Sequence, residues 1–166
     1  MNTNHSYRVH HLKLACFGVK TPFLLLLTLI TGLQCVAIDG GATELTWSLR
    51  TFAGESAKCG KTEIAKVRLC WNAVDSGASG CRPGRFREFA CVEETGATLF
   101  QIDPGPTAFF IEPICADGLP AQVGTYQTPT EIVRRVVDGE VVSLEALLIV
   151  VTDPVSCGSE CTCIRQ

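Results

Sequence analysis

The chain has 166 residues, with 14 Lys and Arg against 17 Asp and Glu, and ten cysteines. Its net charge of −3 argues against a nucleic-acid partner, because phosphate binding requires a clustered positive field. Its three histidines, His5, His10 and His11, all lie near the N-terminus. A mature protein without that segment has no histidine, which excludes a histidine-based catalytic triad.

The N-terminal residues 1–37 have the parts of a secretory signal peptide. Arg8, Lys13 and Lys20 make the first region positive, and no acidic residue precedes Asp39. The apolar run FLLLLTLITGL that follows is short for a transmembrane helix. We therefore expect an exported protein, secreted or periplasmic, whose mature chain carries 11 basic and 17 acidic residues and a net charge of −6.

The end of this leader is compatible with two processing routes. Cleavage before Ile38, after small side chains at positions 35 and 37, would release a soluble protein. Alternatively, Cys35 follows the apolar run where bacterial lipoproteins carry their acylated cysteine, although Gln34 replaces the usual small residue. Acylation would anchor the protein to the cell envelope. Membrane association is expected only through these routes, and residues 38–43 are predicted to be a short linker.

Eight cysteines follow the leader, and an even number in an exported chain predicts four disulfides. Their pairing is left open by the sequence. Zinc is the alternative use of a cysteine cluster, but the chain has no C-x-x-C pair and no histidine beyond residue 11, so we expect no metal site and no cofactor. The eight are Cys59, Cys70, Cys81, Cys91, Cys115, Cys157, Cys161 and Cys163.

Two half-buried strands are predicted early in the domain. Residues 44–50, ELTWSLR, alternate apolar with polar side chains. Residues 65–72 repeat this alternation, with Trp71 on the apolar side and Cys70 on the other. The disulfide partner of Cys70 should therefore be a cysteine of a loop or the tail. Residues 58–64 between the strands are expected to form one helical turn at most.

Three further strands are predicted at residues 85–91, 97–102 and 108–114. The third follows Asp103-Pro104-Gly105-Pro106, a strong turn sequence. A long loop over residues 116–130 is expected next.

The last predicted strands are residues 132–137 and 140–151, which flank Asp138-Gly139. This dipeptide is typical of a type I′ turn and predicts a β-hairpin. Residues 147–151 are apolar at every position, which predicts a strand buried on both faces. The segment 153–166 carries three cysteines and is predicted to be a tail joined to the domain by disulfides.

About seven short strands predict an all-β fold, a two-sheet antiparallel β-sandwich over residues 44–152. The facing sides of the sheets are expected to bury the largest apolar side chains, namely Trp47, Trp71, Phe89, Phe110 and Leu148.

The succession LTWSLR, CGKTEIAKVRLCW, FREFAC, a DPG turn and an aromatic strand resembles small exported bacterial β-sandwich domains. These are immunoglobulin-like or transthyretin-like modules, including regulatory-type domains of carboxypeptidases. The resemblance extends over most of residues 43–152, with Thr107-Ala108 in place of the usual tyrosine and the cysteine-rich tail as an addition. It implies a binding or structural role and offers no catalytic residues.

The candidate partner-binding residues are Arg82, Arg85 and Arg87, which lie within six residues of an acidic chain. Guanidinium groups bind carboxylates and phosphates well. The alternatives are a charged loop that protects a sheet edge and a small secreted protease inhibitor that presents Arg82 or Arg85. Glu93 and Glu94 are candidates for acid–base catalysis only if they converge in a cleft.

We therefore predict a noncatalytic exported module of the envelope or extracellular space that binds an unknown protein or surface ligand. Calcium would require acidic turn residues to converge, whereas solvation of those side chains is the expected outcome. The acidic turn residues are Asp39, Glu93, Glu94, Asp103, Asp117 and Asp138.

Overall fold

The computed structural model describes residues 38–155 and 161–163. The predicted leader, with the candidate lipidation site Cys35, lies outside these residues, and so does Cys157. Within the described residues, no helix is long and apolar enough to cross a membrane. The elements are β1 (Ala42–Thr51), β2 (Ser56–Ala57), α1 (Cys59–Thr62), β3 (Ile64–Ala73), β4 (Phe86–Ala90), β5 (Thr95–Ala97), β6 (Gly105–Cys115), β7 (Tyr126–Gln127), β8 (Ile132–Val136) and β9 (Val141–Val151), with 3-10 turns at Val74–Ser76 and Cys91–Glu93.

The strands form two sheets, which confirms the predicted all-β two-sheet class. One sheet has the order β2-β1-β9-β7, with β5 also pairing with β1, and the other has the order β4-β3-β6-β8. Neighbours are antiparallel except β1 and β9, which are parallel over their full lengths. The first and last strands of the domain therefore lie side by side.

The predicted alternation places the core where β1 and β3 face each other. Leu45, Trp47 and Leu49 of β1 are buried, as are Val67 and Trp71 of β3. Burial of alternate residues is the expected result when one face of a strand covers a core and the other meets solvent. β1 shows this alternation, whereas β3 is buried at four consecutive residues, Leu69 to Asn72.

The prediction that Phe110 and Leu148 are core residues was wrong. Phe110 is only half-buried and Leu148 is 42% exposed. Paired residues point to the same face of a sheet, and Phe109 pairs with the core residue Trp71. Similarly, Ile149 pairs with a core residue of β1. Phe109 and Ile149 therefore occupy the core positions. The prediction that residues 147–151 are buried on both faces was also wrong.

The predicted hairpin around Asp138-Gly139 was also wrong. β8 pairs with β6, whereas β9 pairs with β1 and β7, so residues 137–140 connect the two sheets. Gly139 has a φ of 72° but Asp138 is not in the left-handed region, which excludes a type I′ turn. The Asp138 carboxylate instead accepts a hydrogen bond from the Gly40 N–H at 3.0 Å.

One predicted strand and one predicted loop differ from the structure, and the predicted helical turn agrees with it. The strand expected at 97–102 is β5, Thr95–Ala97, and Ile102 makes only an isolated bridge to Gly41. The long loop over 116–130 contains the short strand β7. The single helical turn expected within 58–64 is α1.

Three disulfides have both sulfurs among the described residues. Cys70 is bonded to Cys81, which confirms that its partner lies in a loop. A second disulfide joins β6 to the tail and confirms the predicted stapling of that segment. Cys161 is disulfide-bonded as well. The pairs are Cys59–Cys91, Cys70–Cys81 and Cys115–Cys163, with Cα–Cα distances of 5.8, 5.1 and 5.5 Å.

Candidate partner-binding pocket

A pocket of about 260 Å³ lies at the end of the sandwich where β3 ends and β4 and β6 begin. Its floor is apolar, formed by Trp71 and Ile102, which are 3% and 1% exposed. Ile102 is held by backbone hydrogen bonds to Gly41 in both directions, at 2.9 and 3.1 Å. The floor is thus anchored to both sheets, because Trp71 belongs to β3 and Gly41 directly precedes β1.

An ion pair lies at the mouth of this pocket. The Arg85 Nη2 atom is 3.2 Å from the Asp103 Oδ2 atom, and the two side chains are 43% and 74% exposed. A pair this exposed contributes about 0–1 kcal/mol, because water already solvates both charges. Either group can therefore be recruited by a partner at little cost.

The backbone of Arg85 is fixed above the pocket floor. Its carbonyl accepts a hydrogen bond from the Trp71 N–H at 3.1 Å, and its own N–H donates to the Arg82 carbonyl at 3.1 Å. Pro83 and Gly84, the latter with a φ of 76°, occupy the corner positions that favour a type II turn. This turn directs the chain so that Arg85 reaches the pocket.

The structure separates the three predicted arginines. Arg85 lines the pocket, Arg82 lies exposed at the start of the turn, and Arg87 lies exposed on β4, opposite Leu69. β4 is an edge strand of its sheet, and a charge on an edge strand opposes pairing with another chain. Of the three, only Arg85 contributes to the pocket.

Asp103 and Trp71 are pocket residues that sequence reasoning did not assign to binding. Asp103 was considered only as a turn residue and calcium candidate, and Trp71 only as a core residue. Asp75, which also lines the pocket, was not considered. The available signal was the strong turn that starts at Asp103, since loops at the ends of strands commonly carry binding residues.

A second charged cluster covers the outer face of β3, β4 and β6. Glu88 accepts hydrogen bonds from Lys66 Nζ at 2.8 Å and from Arg68 Nη2 at 2.7 Å. These bonds lower the pKa of Glu88 despite its partial burial. Arg68 also reaches Glu112 at 3.0 Å and lies 4.8 Å from the ring centre of Phe86. This cluster joins three strands through ion pairs.

The two carboxylates considered for acid–base catalysis do not converge in one cleft: Glu94 lines an open cavity beside α1, and Glu93 does not. Glu93 and Glu94 are both exposed. Glu94 has a φ of 54°, and its carbonyl accepts a hydrogen bond from the Trp47 N–H at 3.0 Å. The arrangement lacks the desolvation that carboxylate catalysis requires.

Two other acidic turn residues bond backbone N–H groups, Asp117 within its own turn and Asp138 across the fold. Asp117 accepts a hydrogen bond from the Leu119 N–H at 2.9 Å, and Asp138 accepts the bond from Gly40 described above. Over residues 38–155 and 161–163, no three His, Cys, Asp or Glu side chains lie close enough together to hold a metal ion.

Comparisons with known proteins assign no family to this chain. No protein-family model matches it, and no curated protein matches it. Among solved structures, a cysteine-to-alanine mutant of the pilus-presented adhesin Cpa has a TM-score of 0.26 and 10% sequence identity over 71% of this chain. This chain spans 28% of the adhesin chain. Such slight similarity supports no conclusion about fold or function.

Proposed function

We propose that this protein is a noncatalytic exported module that binds a partner protein through the pocket over Trp71. The observation that carries the proposal is the exposed Arg85–Asp103 pair at the mouth of an apolar pocket. An apolar floor with opposite charges at its rim is typical of a protein–protein interface. In such an interface a buried apolar side chain supplies affinity, and the charges orient the two proteins.

The size of the pocket favours a protein over a small molecule as the partner. Its volume of about 260 Å³ is below the range of about 300–1,000 Å³ typical of small-molecule sites. A pocket of that size accommodates one side chain inserted from a partner surface. The surrounding contacts would then come from the rim, where Asp75 and Asp103 favour a cationic neighbour.

Export is supported by the disulfides, which persist in oxidising compartments and are rare in the cytosol. The intact mass of the protein from its native host distinguishes the two routes of export. A chain that starts at Ile38 would be a soluble secreted or periplasmic protein. A mass that includes acyl chains on Cys35 would be an envelope-anchored lipoprotein.

A photo-cross-linking amino acid at Val74 tests the pocket directly in the native host. Val74 lines the pocket and is 45% exposed, whereas Val92, at the opposite end of β4, is 74% exposed and serves as the control position. We expect an adduct from position 74 alone, lost when Arg85 and Asp103 are both replaced by Ala. Equal adducts from both positions, or adducts that persist without the ion pair, would contradict the proposal. Saturable turnover that one substitution abolishes would contradict its noncatalytic part.

The alternative function, a small protease inhibitor presenting the Arg82–Arg85 loop, is favoured by one observation. Cys81, directly before Arg82, is covalently tied to Cys70 of β3, so the loop is braced. Micromolar inhibition of a trypsin-like protease, lost on Arg82→Ala, would support this alternative. No inhibition by the native protein would remove it.

A further inference from the structure

A second cavity, of about 570 Å³, lies along the edge of β6 that faces away from β3. We call it the β6-edge groove; Ile111 lies on its floor, and Cys81 and Tyr126 lie on its walls. β8 pairs with β6 only over Gly105–Phe109. Farther along, the Ala121 N–H bonds the Pro113 carbonyl at 2.9 Å. Among the described residues, no strand pairs with residues 110–112 on this edge.

Among the described residues, no backbone group is bonded to the N–H and C=O of Ile111 on this edge. Ile111 lines the groove, although the residue as a whole is only 5% exposed. Backbone groups of successive strand residues point to alternate sides. The Pro113 carbonyl points to the groove edge, because it bonds Ala121 there. The N–H and C=O of Ile111, two residues earlier, therefore point to the same edge. An unpaired donor and acceptor at a sheet edge are the groups that an added strand uses.

The walls of the groove are held in place before any ligand binds. Cys81 is fixed by its disulfide to Cys70, which pairs with Phe110 of β6. On the other side, Tyr126 pairs with Val151 of the second sheet. A preformed site reduces the entropy lost on binding.

The chemistry of the groove favours a cation. Of the described residues that line it, Glu112 alone carries a formal charge. One of its two oxygens accepts a bond from Arg68 at 3.0 Å. Burial and the nearby charge of Glu112 raise the pKa of Tyr126, so the phenol stays neutral. A cavity lined by a carboxylate and by the aromatic residues Phe110 and Tyr126 suits a Lys or Arg side chain, whose stem packs on the rings while its head meets the charge.

We propose that the β6-edge groove binds an extended basic segment of a partner protein, which adds to β6 as a strand. The segment bonds the N–H and C=O of Ile111, and one basic side chain lies between Glu112 and Tyr126. This site is separate from the pocket over Trp71, and the proposal does not depend on the function assigned to that pocket.

The test uses the capped pentapeptide VKVKV and two matched probes, its acidic counterpart VEVEV and a VKVKV with its central amide N-methylated. We expect VKVKV to shift the NMR signal of the Ile111 amide and to slow its hydrogen exchange. The acidic peptide should produce neither change. N-methylation should weaken binding because it removes a donor from the added strand.

Two variants localise the charge recognition. Glu112→Gln keeps an oxygen for Arg68 but loses the charge, and should weaken VKVKV binding about tenfold, the loss expected for one charged hydrogen bond. Glu140→Gln, an exposed residue beside β9, should bind as the parent does. Amide spectra outside the groove serve as the check that both variants are folded.

Several outcomes would overturn the proposal. They are equal binding of VEVEV, full binding by Glu112→Gln, and an unchanged Ile111 amide at millimolar VKVKV. Protection of Ile111 that grows with protein concentration in the absence of peptide would assign the groove to a second copy of this chain.

Discussion

At the scale of single residues, one glycine makes room for the aromatic part of the core. A Cβ atom on Gly96 of β5 would lie 2.6 Å from ring carbons of Phe89. The Phe89 ring in turn lies 6.0 Å from that of Trp47, whose indole N–H donates to the Cys91 carbonyl at 3.0 Å. The absence of a side chain at position 96 therefore allows the Phe89 ring to lie where it packs beside Trp47.

Replacement of Gly96 by Ala should destabilise the protein by about 1–3 kcal/mol, because the added methyl group overpacks the core. The measurement is the urea-induced unfolding transition with disulfides intact. Gly60→Ala is the matched control, since a Cβ there meets no atom within 4 Å. A Gly96→Ala protein as stable as the parent would show that Phe89 moves aside freely.

At the scale of elements, the outer cluster of Lys66, Arg68, Glu88 and Glu112 joins β4, β3 and β6. β4 is an edge strand of only five residues. Its outward Glu88 bonds two cations of β3, and its inward Phe89 packs in the core. Side-chain contacts therefore stabilise both faces of this short strand, although it pairs with another strand on one side only.

Glu88→Gln should lower the free energy of unfolding by about 1 kcal/mol at pH 7, because it removes the charge that both cations bind. The pKa of Glu88 is lower in the folded protein than the ordinary value of 4.5. Its stabilisation is therefore complete above about pH 4.5 and is lost as the pH falls through the lower, folded value. Thermal unfolding from pH 7 to pH 3 should show the two proteins converging at acid pH. A constant difference over that range would contradict this linkage.

At the scale of the whole molecule, the fold closes late in the chain. β9 lies between β1 and β7, so the centre of one sheet comes from the last strand. The tail then returns to β6 through Cys115–Cys163, and Thr162 accepts a hydrogen bond from the Gln122 N–H at 3.0 Å. Contacts between distant parts of the chain are expected to make folding slow.

The double variant Cys115→Ala, Cys163→Ala should lose about 3–4 kcal/mol of stability, because the disulfide spans 48 residues and restricts the unfolded chain. The domain should still fold, since its core lies between the sheets, but the tail should become sensitive to protease. Urea unfolding and limited proteolysis measure the two effects. Alkylation and mass analysis verify that the other disulfides are formed. A loss below 1 kcal/mol would contradict the stapling role.

The alternation of apolar and polar residues predicted which side chains face the core only in strands whose outward positions are polar. β1 and β3 have such markers, and Trp47 and Trp71 are buried as expected. The runs around Phe110 and Leu148 are apolar at consecutive positions, so pairing with β3 and β1 decides which side chain faces the core. The pocket was likewise predictable only in part. The cluster of arginines in the sequence pointed to Arg85, but it did not identify Asp103 as the partner in its ion pair.

Local sequence was sufficient for the all-β class, for most strands, for the single helical turn and for the loop partner of Cys70. These features depend on neighbouring residues, whose periodicity and turn propensity are local properties. Tertiary structure alone decided the parallel pairing of β1 with β9, the separation of β8 from β9, the disulfide pairs and both cavities. Each depends on which distant strands lie side by side, and many pairings satisfy the same local pattern.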